Sequence, residues 1–121
     1  MLTVFTGLED VEGMFYVGNK LHSMKLYPQA QHAYESVLKV PFDDNVVRHA
    51  VVWRNLGSVL RSQNLFEEAL AAYDHAIAIQ PDYASAWRNK GSLFRSQRRY
   101  DEALAAYDRA LQIEPDYAYA W

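Results

Sequence analysis

Apolar side chains recur along most of the chain at the three- and four-residue spacing of an amphipathic helix. One such stripe is made of Trp53, Leu56, Gly57 and Leu60. A longer stripe follows it, made of Phe66, Ala69, Leu70, Tyr73, Ala76 and Ile77. The polar run Ser62-Gln63-Asn64 between them predicts a tight turn, with Asn64 in the left-handed conformation. The pattern therefore predicts a hairpin of two helices.

The end of this hairpin is marked by Pro81 and Asp82. Because proline cannot continue a helix, the second helix is expected to stop there, and Asp82 is predicted to cap the helix that follows.

The hairpin pattern repeats. Residues 50–83 and 84–117 are each 34 residues long, and 21 of the aligned positions are identical. A degenerate copy precedes them, with Pro28 placed in the first turn of a helix and the same spacings at Met14, Val17, Gly18, Leu21, Ala30, Tyr34 and Val37. Five residues are inserted after this copy. Since Asp44 to His49 contain no helix breaker, we predict an early start for the helix of Trp53, capped by Asp43 or Asp44.

This pattern resembles the tetratricopeptide repeat, a helical hairpin of 34 residues. The matching residues of one unit are Trp53, Leu56, Gly57, Leu60, Ala69, Tyr73, Ala76 and Pro81, and those of the next are Trp87, Lys90, Gly91, Phe94, Ala103, Tyr107, Ala110 and Pro115. Lys90 stands where the family prefers leucine. We expect its methylene stem to lie on apolar surface while its ammonium reaches water.

The resemblance covers residues 11–121 and implies an all-α fold, a right-handed α-solenoid of antiparallel helix hairpins. It divides the chain into an N-terminal segment (1–10), a degenerate repeat with the extended start of the next helix (11–49), two repeats (50–83 and 84–117) and the start of a fourth (118–121). Trp121 lies 34 residues after Trp87, which predicts that the sequence is a piece of a longer array. Its last helix would then be under-covered around Tyr107, Leu111 and Ile113, and we predict self-association through that face.

Composition narrows the function. The net charge is -3, the pI is near 5.7, half of the residues are hydrophobic and cysteine is absent. An acidic chain is a poor nucleic-acid binder. No apolar run approaches the ~20 residues that span a bilayer, and Met1 to Phe5 lack the basic flank of a signal peptide. We therefore expect no nucleic-acid or membrane partner and a cytoplasmic location.

Catalytic and metal-binding patterns are missing. None of the histidines (His22, His32, His49, His75) pairs at helical spacing with further ligands, and no nucleophile–base set or glycine-rich phosphate loop is recognisable. The sequence predicts neither an enzyme nor a cofactor or metal site.

The resemblance implies that the first helices of the repeats line a concave groove. The candidate groove residues are Asn19, Arg54, Asn55, Ser58, Arg61, Arg88, Asn89, Ser92 and Arg95. Four arginines on one surface of an acidic protein predict binding of carboxylates or of an acidic peptide. The alternative, that they are solvated residues copied by duplication, stays open.

Two family precedents bear on this groove. Asn55 and Asn89 resemble the asparagine ladder of O-linked N-acetylglucosamine transferases, which holds peptide backbones; helices ~8–10 Å apart would present an Asn to about every third residue of an extended peptide. Asn19 and Asn55 also fall on two positions of the carboxylate clamp of chaperone cochaperones. Phe15, Ser85 and Asn89 stand where that clamp needs cations, so a true clamp is not expected.

Phe15 and Tyr16 have two readings, packing against the segment from Leu2 to Phe5 or forming an apolar pocket for a partner. For the whole chain, the first hypothesis is an interaction module that binds a protein segment in the groove. The alternative is a substrate-recruiting or self-assembling part of a larger protein, such as a glycosyltransferase, and a self-associating spacer is a third.

Overall fold

The computed structural model describes residues 8–39 and 46–115, and the side chains from residues 12 and 49 onward within these ranges. This part of the chain forms helices and turns and contains no strand. The helices are α1 (Leu8–Ser23), α2 (Tyr27–Leu38), α3 (Val46–Ser62), α4 (Phe66–Ile79), α5 (Ala84–Ser96) and α6 (Tyr100–Ile113). None of them is long and apolar enough to cross a membrane.

The helices associate as three successive hairpins. α1 packs most extensively against α2, α3 against α4 and α5 against α6, and each hairpin contacts the next. The predicted all-α helical repeat is confirmed. The predicted early start of the third helix is confirmed as well, because α3 has 17 residues and α5 has 13. Its predicted caps, Asp43 and Asp44, lie outside the described residues.

Each hairpin turns at a residue with positive φ. Asn64 has φ 65°, as predicted, and Lys25 and Arg98 take the same conformation at φ 62° and 63°. In the middle hairpin the Leu65 N–H donates to the Leu60 carbonyl at 2.9 Å, a bond that closes the end of α3. One turn geometry therefore serves three different residue types.

The junction between α4 and α5 differs from the prediction at Asp82. The N-cap of α5 is Tyr83, and no side chain caps this helix. Since the helix begins one residue later than expected, Asp82 lies outside the capping position. The Trp87 indole N–H instead donates to the Pro81 carbonyl at 3.0 Å, which ties the junction to α5. The predicted place of Pro28 in the first turn of α2 is confirmed.

The core is built from small residues and tyrosines. The second helices bury alanines along their inner side, at Ala30, Ala33, Ala69, Ala72, Ala76, Ala103, Ala106 and Ala110. Tyr34 and Tyr73 are the largest fully buried side chains among the described residues. Alanines permit a close approach of neighbouring helices, and the tyrosine rings fill the remaining space.

A glycine–tyrosine contact recurs in every hairpin. A Cβ built on Gly18 would lie 2.7 Å from the Tyr34 ring, one on Gly57 would lie 2.6 Å from the Tyr73 ring, and one on Gly91 would lie 2.8 Å from the Tyr107 ring. These distances are shorter than van der Waals contact, so each first helix can approach its partner only because the residue facing the ring has no side chain.

Lys90 has a charged partner that the sequence did not predict. Its ammonium lies 2.7 Å from the Asp74 carboxylate on α4, and the lysine side chain is only 19% exposed. The same ammonium stands 5.2 Å from the centre of the Trp87 ring. The stem packs as predicted, but the charge is held by a carboxylate and an aromatic face rather than by water alone.

The glycine–tyrosine contact can be tested with Gly57→Ala. We expect the free energy of unfolding to fall by up to about 2 kcal/mol, because overpacking of about 1–3 kcal/mol opposes the roughly 1 kcal/mol gain in helix propensity. Urea denaturation measures the change. Gly13→Ala is the matched control, since no atom of the described residues lies within 4 Å of a Cβ there, and it should be neutral or stabilising. Equal effects of the two changes would contradict the proposed role of the contact.

Candidate functional site

Charge is divided between the two sets of helices. The first helices, α1, α3 and α5, contain three acidic residues, all in α1, and seven basic ones: Lys20, Arg48, Arg54, Arg61, Arg88, Lys90 and Arg95. The second helices, α2, α4 and α6, contain one basic residue, Arg109, and seven acidic ones: Glu35, Glu67, Glu68, Asp74, Asp101, Glu102 and Asp108. Two of the first helices, α3 and α5, are thus strongly basic in a protein that is acidic overall.

Three of the candidate residues, Asn19, Arg54 and Asn55, meet in one hydrogen-bond network. The Tyr34 hydroxyl donates to Asn19 Oδ1 at 2.6 Å, and Asn55 Nδ2 donates to the same oxygen at 3.2 Å. Arg54 donates to Asn55 Oδ1 from Nη2 at 2.8 Å and from Nε at 3.3 Å. Its Nη1 donates to Ser85 Oγ at 2.8 Å. The network therefore joins α1, α3 and α5, and we call their exposed side the first-helix face.

This network bears on the asparagine ladder. Both hydrogen bonds that the Asn55 carbonyl can accept come from Arg54, so the amide orients the guanidinium. The side chains of Asn19 and Asn55 touch each other rather than standing one helix spacing apart. A peptide backbone would have to displace Arg54 to reach the Asn55 carbonyl. The ladder stays a prediction, and Asn89 is its candidate without a hydrogen-bond partner among the described residues.

The serines of the face are tied to the core. Ser58 Oγ and the Tyr73 hydroxyl share a hydrogen bond at 3.1 Å, and Ser92 Oγ and the Tyr107 hydroxyl share another at 3.1 Å. Each serine directly follows the glycine on which that tyrosine packs, and Asn19 holds the corresponding place in the first hairpin. These polar residues anchor the buried phenols.

The remaining arginines differ in their surroundings. Arg61 Nη2 donates to Ser96 Oγ at 3.0 Å, which forms a second bridge from α3 to α5. Arg88 is half-buried on α5, whereas Arg95 is exposed and has no ion-pair partner among the described side chains. The structure thus brings Asn19, Arg54 and Asn55 together and leaves Arg95 apart from them.

The pKa values of two titratable groups, His22 and Tyr34, are shifted beside this face. Burial lowers the pKa of His22 below its usual 6.5, and the positive charge of Arg54 lowers it further. Burial raises the pKa of Tyr34 to about 12 against smaller opposing effects of Asn55 and Arg54. The phenol is therefore protonated at neutral pH and serves as the donor to Asn19.

Two side chains that contact the hydrogen-bond network were not predicted from the sequence. The Tyr83 ring lies 5.6 Å from the Arg54 guanidinium carbon, and the Tyr34 hydroxyl donates a hydrogen bond to Asn19. One sequence feature could have identified the role of the tyrosine hydroxyls. In each repeat, the polar residue that follows the glycine lies 15 residues before the tyrosine that bonds to it. No comparable periodic signal marked Tyr83.

Within the described ranges, no group of three or more His, Asp or Glu side chains is placed to hold a metal ion. Hydrogen-bond donors and positive charge are what the first-helix face offers, and these suit an anionic or amide-rich ligand.

The sequence matches a known family model. The model, described as a tetratricopeptide repeat, matches residues 25–84 and 54–118. No curated protein matches the chain.

Solved structures share the fold. The TPR domain of Arabidopsis OM64 aligns with a TM-score of 0.80 at 25% identity, over 89% of this chain and 85% of that one. MamA aligns with a TM-score of 0.77 at 24% identity over 87% of this chain, and this chain spans only 58% of the MamA chain. The first TPR of Spaghetti (RPAP3), bound to the HSP90 peptide SRMEEVD, aligns with a TM-score of 0.78 at 22% identity, over 88% and 81% of the two chains.

The coupling between Arg54 and His22 gives a pH test. Because the pKa of folded His22 is depressed, the unfolded chain binds its proton first, so stability falls as pH drops through about 6.5. Arg54→Gln removes one of the two causes and should raise the pKa of His22, while burial keeps it below 6.5. NMR titration of the His22 ring measures the change. Arg61→Gln is the control and should leave the pKa of His22 unchanged; equal shifts in both variants would contradict a specific electrostatic effect of Arg54 on His22.

Proposed function

This chain belongs to the tetratricopeptide repeat family, and we propose that its first-helix face is a concave surface that binds an acidic segment of a partner protein. The general role of the family, a scaffold for protein–protein interaction, is the premise. The acidic nature of the segment is the proposal, and it rests on the surroundings of the arginines.

The observation that carries the proposal is that Arg54 and Arg61 bond only to uncharged oxygens. Arg54 uses three of its five N–H groups on Asn55 and Ser85, and Arg61 uses one on Ser96. No carboxylate among the described residues pairs with either guanidinium. Both therefore keep N–H donors and a full charge for a carboxylate supplied from outside.

The site is also pre-ordered. Arg54 is held from two sides, by the Asn55 carbonyl and by Ser85 Oγ, and an arginine side chain otherwise loses considerable rotamer freedom on binding. Because the two hydrogen bonds fix the guanidinium before a ligand arrives, less of the binding energy is lost to ordering.

A solved relative supports an acidic ligand. The RPAP3 domain was solved with the peptide SRMEEVD, which carries two Glu and one Asp. In this chain Phe15, Ser85 and Asn89 occupy the positions where a carboxylate clamp needs cations, so we propose that Arg54 and Arg88 bind carboxylates in a different geometry.

The proposed role is non-enzymatic for this chain. The alternative, a substrate-recruiting or self-assembling segment of a larger protein such as a glycosyltransferase, uses the same face and differs in what the rest of that protein does.

The proposal can be tested with random peptide libraries of matched length, one rich in Asp and Glu and one neutral. We expect the acidic library to yield the binders, and Arg54→Glu combined with Arg88→Glu to weaken their binding at least about ten-fold, as loss of charge-assisted hydrogen bonds implies. Raising the salt concentration should weaken binding to the unchanged protein. Calorimetric titration gives the dissociation constants.

The matched control is Arg98→Glu, which reverses a charge in the exposed turn between α5 and α6, away from the first-helix face. It should leave affinity unchanged. Equal enrichment from both libraries, or full binding by the Arg54/Arg88 double variant, would exclude an acidic ligand on this face.

We also propose self-association through α6. Tyr100 and Leu104, four residues apart on one side of this helix, are 58% and 60% exposed. The residues named from the sequence, Tyr107, Leu111 and Ile113, are half-buried. The contact surface proposed for a second copy therefore centres on Tyr100 and Leu104.

Leu104→Lys tests this contact without altering the core. We expect the average mass from light scattering to rise with concentration for the unchanged protein and to stay at the monomer value for the variant, because a lysine charge opposes burial. A monomer at every concentration before substitution would end the idea.

A further inference from the structure

Two equivalent grooves run between neighbouring second helices. The first groove lies between α2 and α4 over α3, and the second lies between α4 and α6 over α5. The repeat relates their residues one to one: Trp53 corresponds to Trp87, Leu56 to Lys90, Leu60 to Phe94, Glu35 to Asp74, Glu68 to Glu102 and His75 to Arg109. Both grooves have the tryptophan and a carboxylate at each of the two acidic positions; they differ at Leu56/Lys90, Leu60/Phe94 and His75/Arg109.

The second groove holds an ammonium group supplied by its own chain. Lys90 Nζ lies 2.7 Å from Asp74 Oδ1, 5.2 Å from the centre of the Trp87 ring and 5.9 Å from that of Phe94. Glu102 is also close enough to respond, since its pKa is lowered first by Arg99 and further by Lys90. This groove thus shows how the repeat receives a lysine side chain: the ammonium pairs with Asp74 and stands over two aromatic rings.

The first groove offers the same acceptors and has no lysine of its own at this position. It is an open cleft of about 400 Å³, with Trp53, Leu56 and Leu60 among its lining residues and Glu35 and Glu68 on opposite helices. Both carboxylates are exposed, and neither forms an ion pair with another described residue. Leu56 is 4% exposed and contributes an apolar floor where Lys90 contributes a charge.

The other polar groups of the first groove do not replace the missing ammonium. Gln31 Nε2 donates to Glu35 Oε2 at 3.0 Å, an uncharged contact. His75 stacks on Trp53 with 4.2 Å between ring centres, in the place where Arg109 lies 6.0 Å from Trp87. Lys39 lines one end of the groove and makes no ion pair within the described residues.

We propose that the first groove binds a lysine side chain presented by a partner protein, in the way that the second groove binds Lys90. The butyl stem lies on Trp53, Leu56 and Leu60, and the ammonium lies between Glu35 and Glu68. Apolar floor and acidic rim together match the two parts of a lysine side chain. A volume of about 400 Å³ also accommodates residues that flank the lysine.

This site is separate from the first-helix face and takes the opposite charge. Its lining residues come from α2 and α4 and from the side of α3 that faces them, whereas Arg54 and Asn55 belong to the network with α1 and α5. One chain could therefore hold an acidic segment and a basic segment on two surfaces, and failure at one surface leaves the other unaffected.

The test uses the whole chain and two random peptide libraries that differ only at a fixed central residue, lysine in one and norleucine in the other. We expect more binders from the lysine library. The best of these should bind at least about ten-fold more weakly to Leu56→Lys, because an ammonium of the chain itself then pairs with Glu35 as Lys90 pairs with Asp74. Circular dichroism checks that this variant remains folded.

A second variant makes the test independent of that substitution in the core. Glu35→Gln combined with Glu68→Gln removes only exposed charges and should weaken binding roughly five-fold or more. Glu67→Gln, the neighbouring carboxylate on α4 that does not line the groove, is the matched control and should bind as the unchanged protein does.

The converse change is Lys90→Leu, which gives the second groove the residue of the first and should add a second lysine site per chain. The proposal is overturned if the lysine library yields no more binders than the norleucine library. It is equally overturned if peptides from the lysine library bind the Glu35→Gln/Glu68→Gln variant as tightly as the unchanged protein. It is also overturned if Arg54→Glu abolishes their binding instead, since they would then bind to the first-helix face.

Discussion

The close contact between a glycine of each first helix and a tyrosine ring of the following helix is the constraint on which the rest of the structure depends. It recurs at Gly18, Gly57 and Gly91, where an added Cβ would come within 2.8 Å of the ring. Because the ring packs against a residue without a side chain, the two helices of a hairpin approach closely and the second helix can line its inner side with alanine. Hairpins of the same thickness then stack in a regular array.

The same contact shapes the candidate binding surface. Each buried phenol points its hydroxyl at the residue after the glycine, which is Asn19, Ser58 or Ser92. In the first hairpin the chain of bonds continues from Asn19 through Asn55 to Arg54. The orientation of a surface arginine therefore depends on the packing of a core tyrosine one hairpin away, so substitutions in the core and in the groove should not be independent.

Near-identical repeats acquire different chemistry through single residues. Leu56 and Lys90 occupy equivalent positions, yet one gives an apolar floor and the other an ammonium paired with Asp74. The ion pair of Lys90 could not be predicted from the sequence because a helix considered by itself shows no carboxylate nearby; Asp74 belongs to α4 of the preceding repeat. The Asp82 cap was wrong for a local reason, since α5 begins at a register in which Tyr83 takes the capping position.

The sequence by itself determined the helices, their pairing into hairpins and the left-handed turn at Asn64. A 34-residue period with 3.6-residue spacing inside it is enough for these, because each depends on local geometry and on burial of one stripe. Only the tertiary structure decided which polar groups touch. The decisive bonds join residues 31 and 36 positions apart, Arg54 to Ser85 and Asn55 to Asn19. Such distances depend on how neighbouring helices are shifted and rotated against each other, and the periodic pattern carries no information about those displacements.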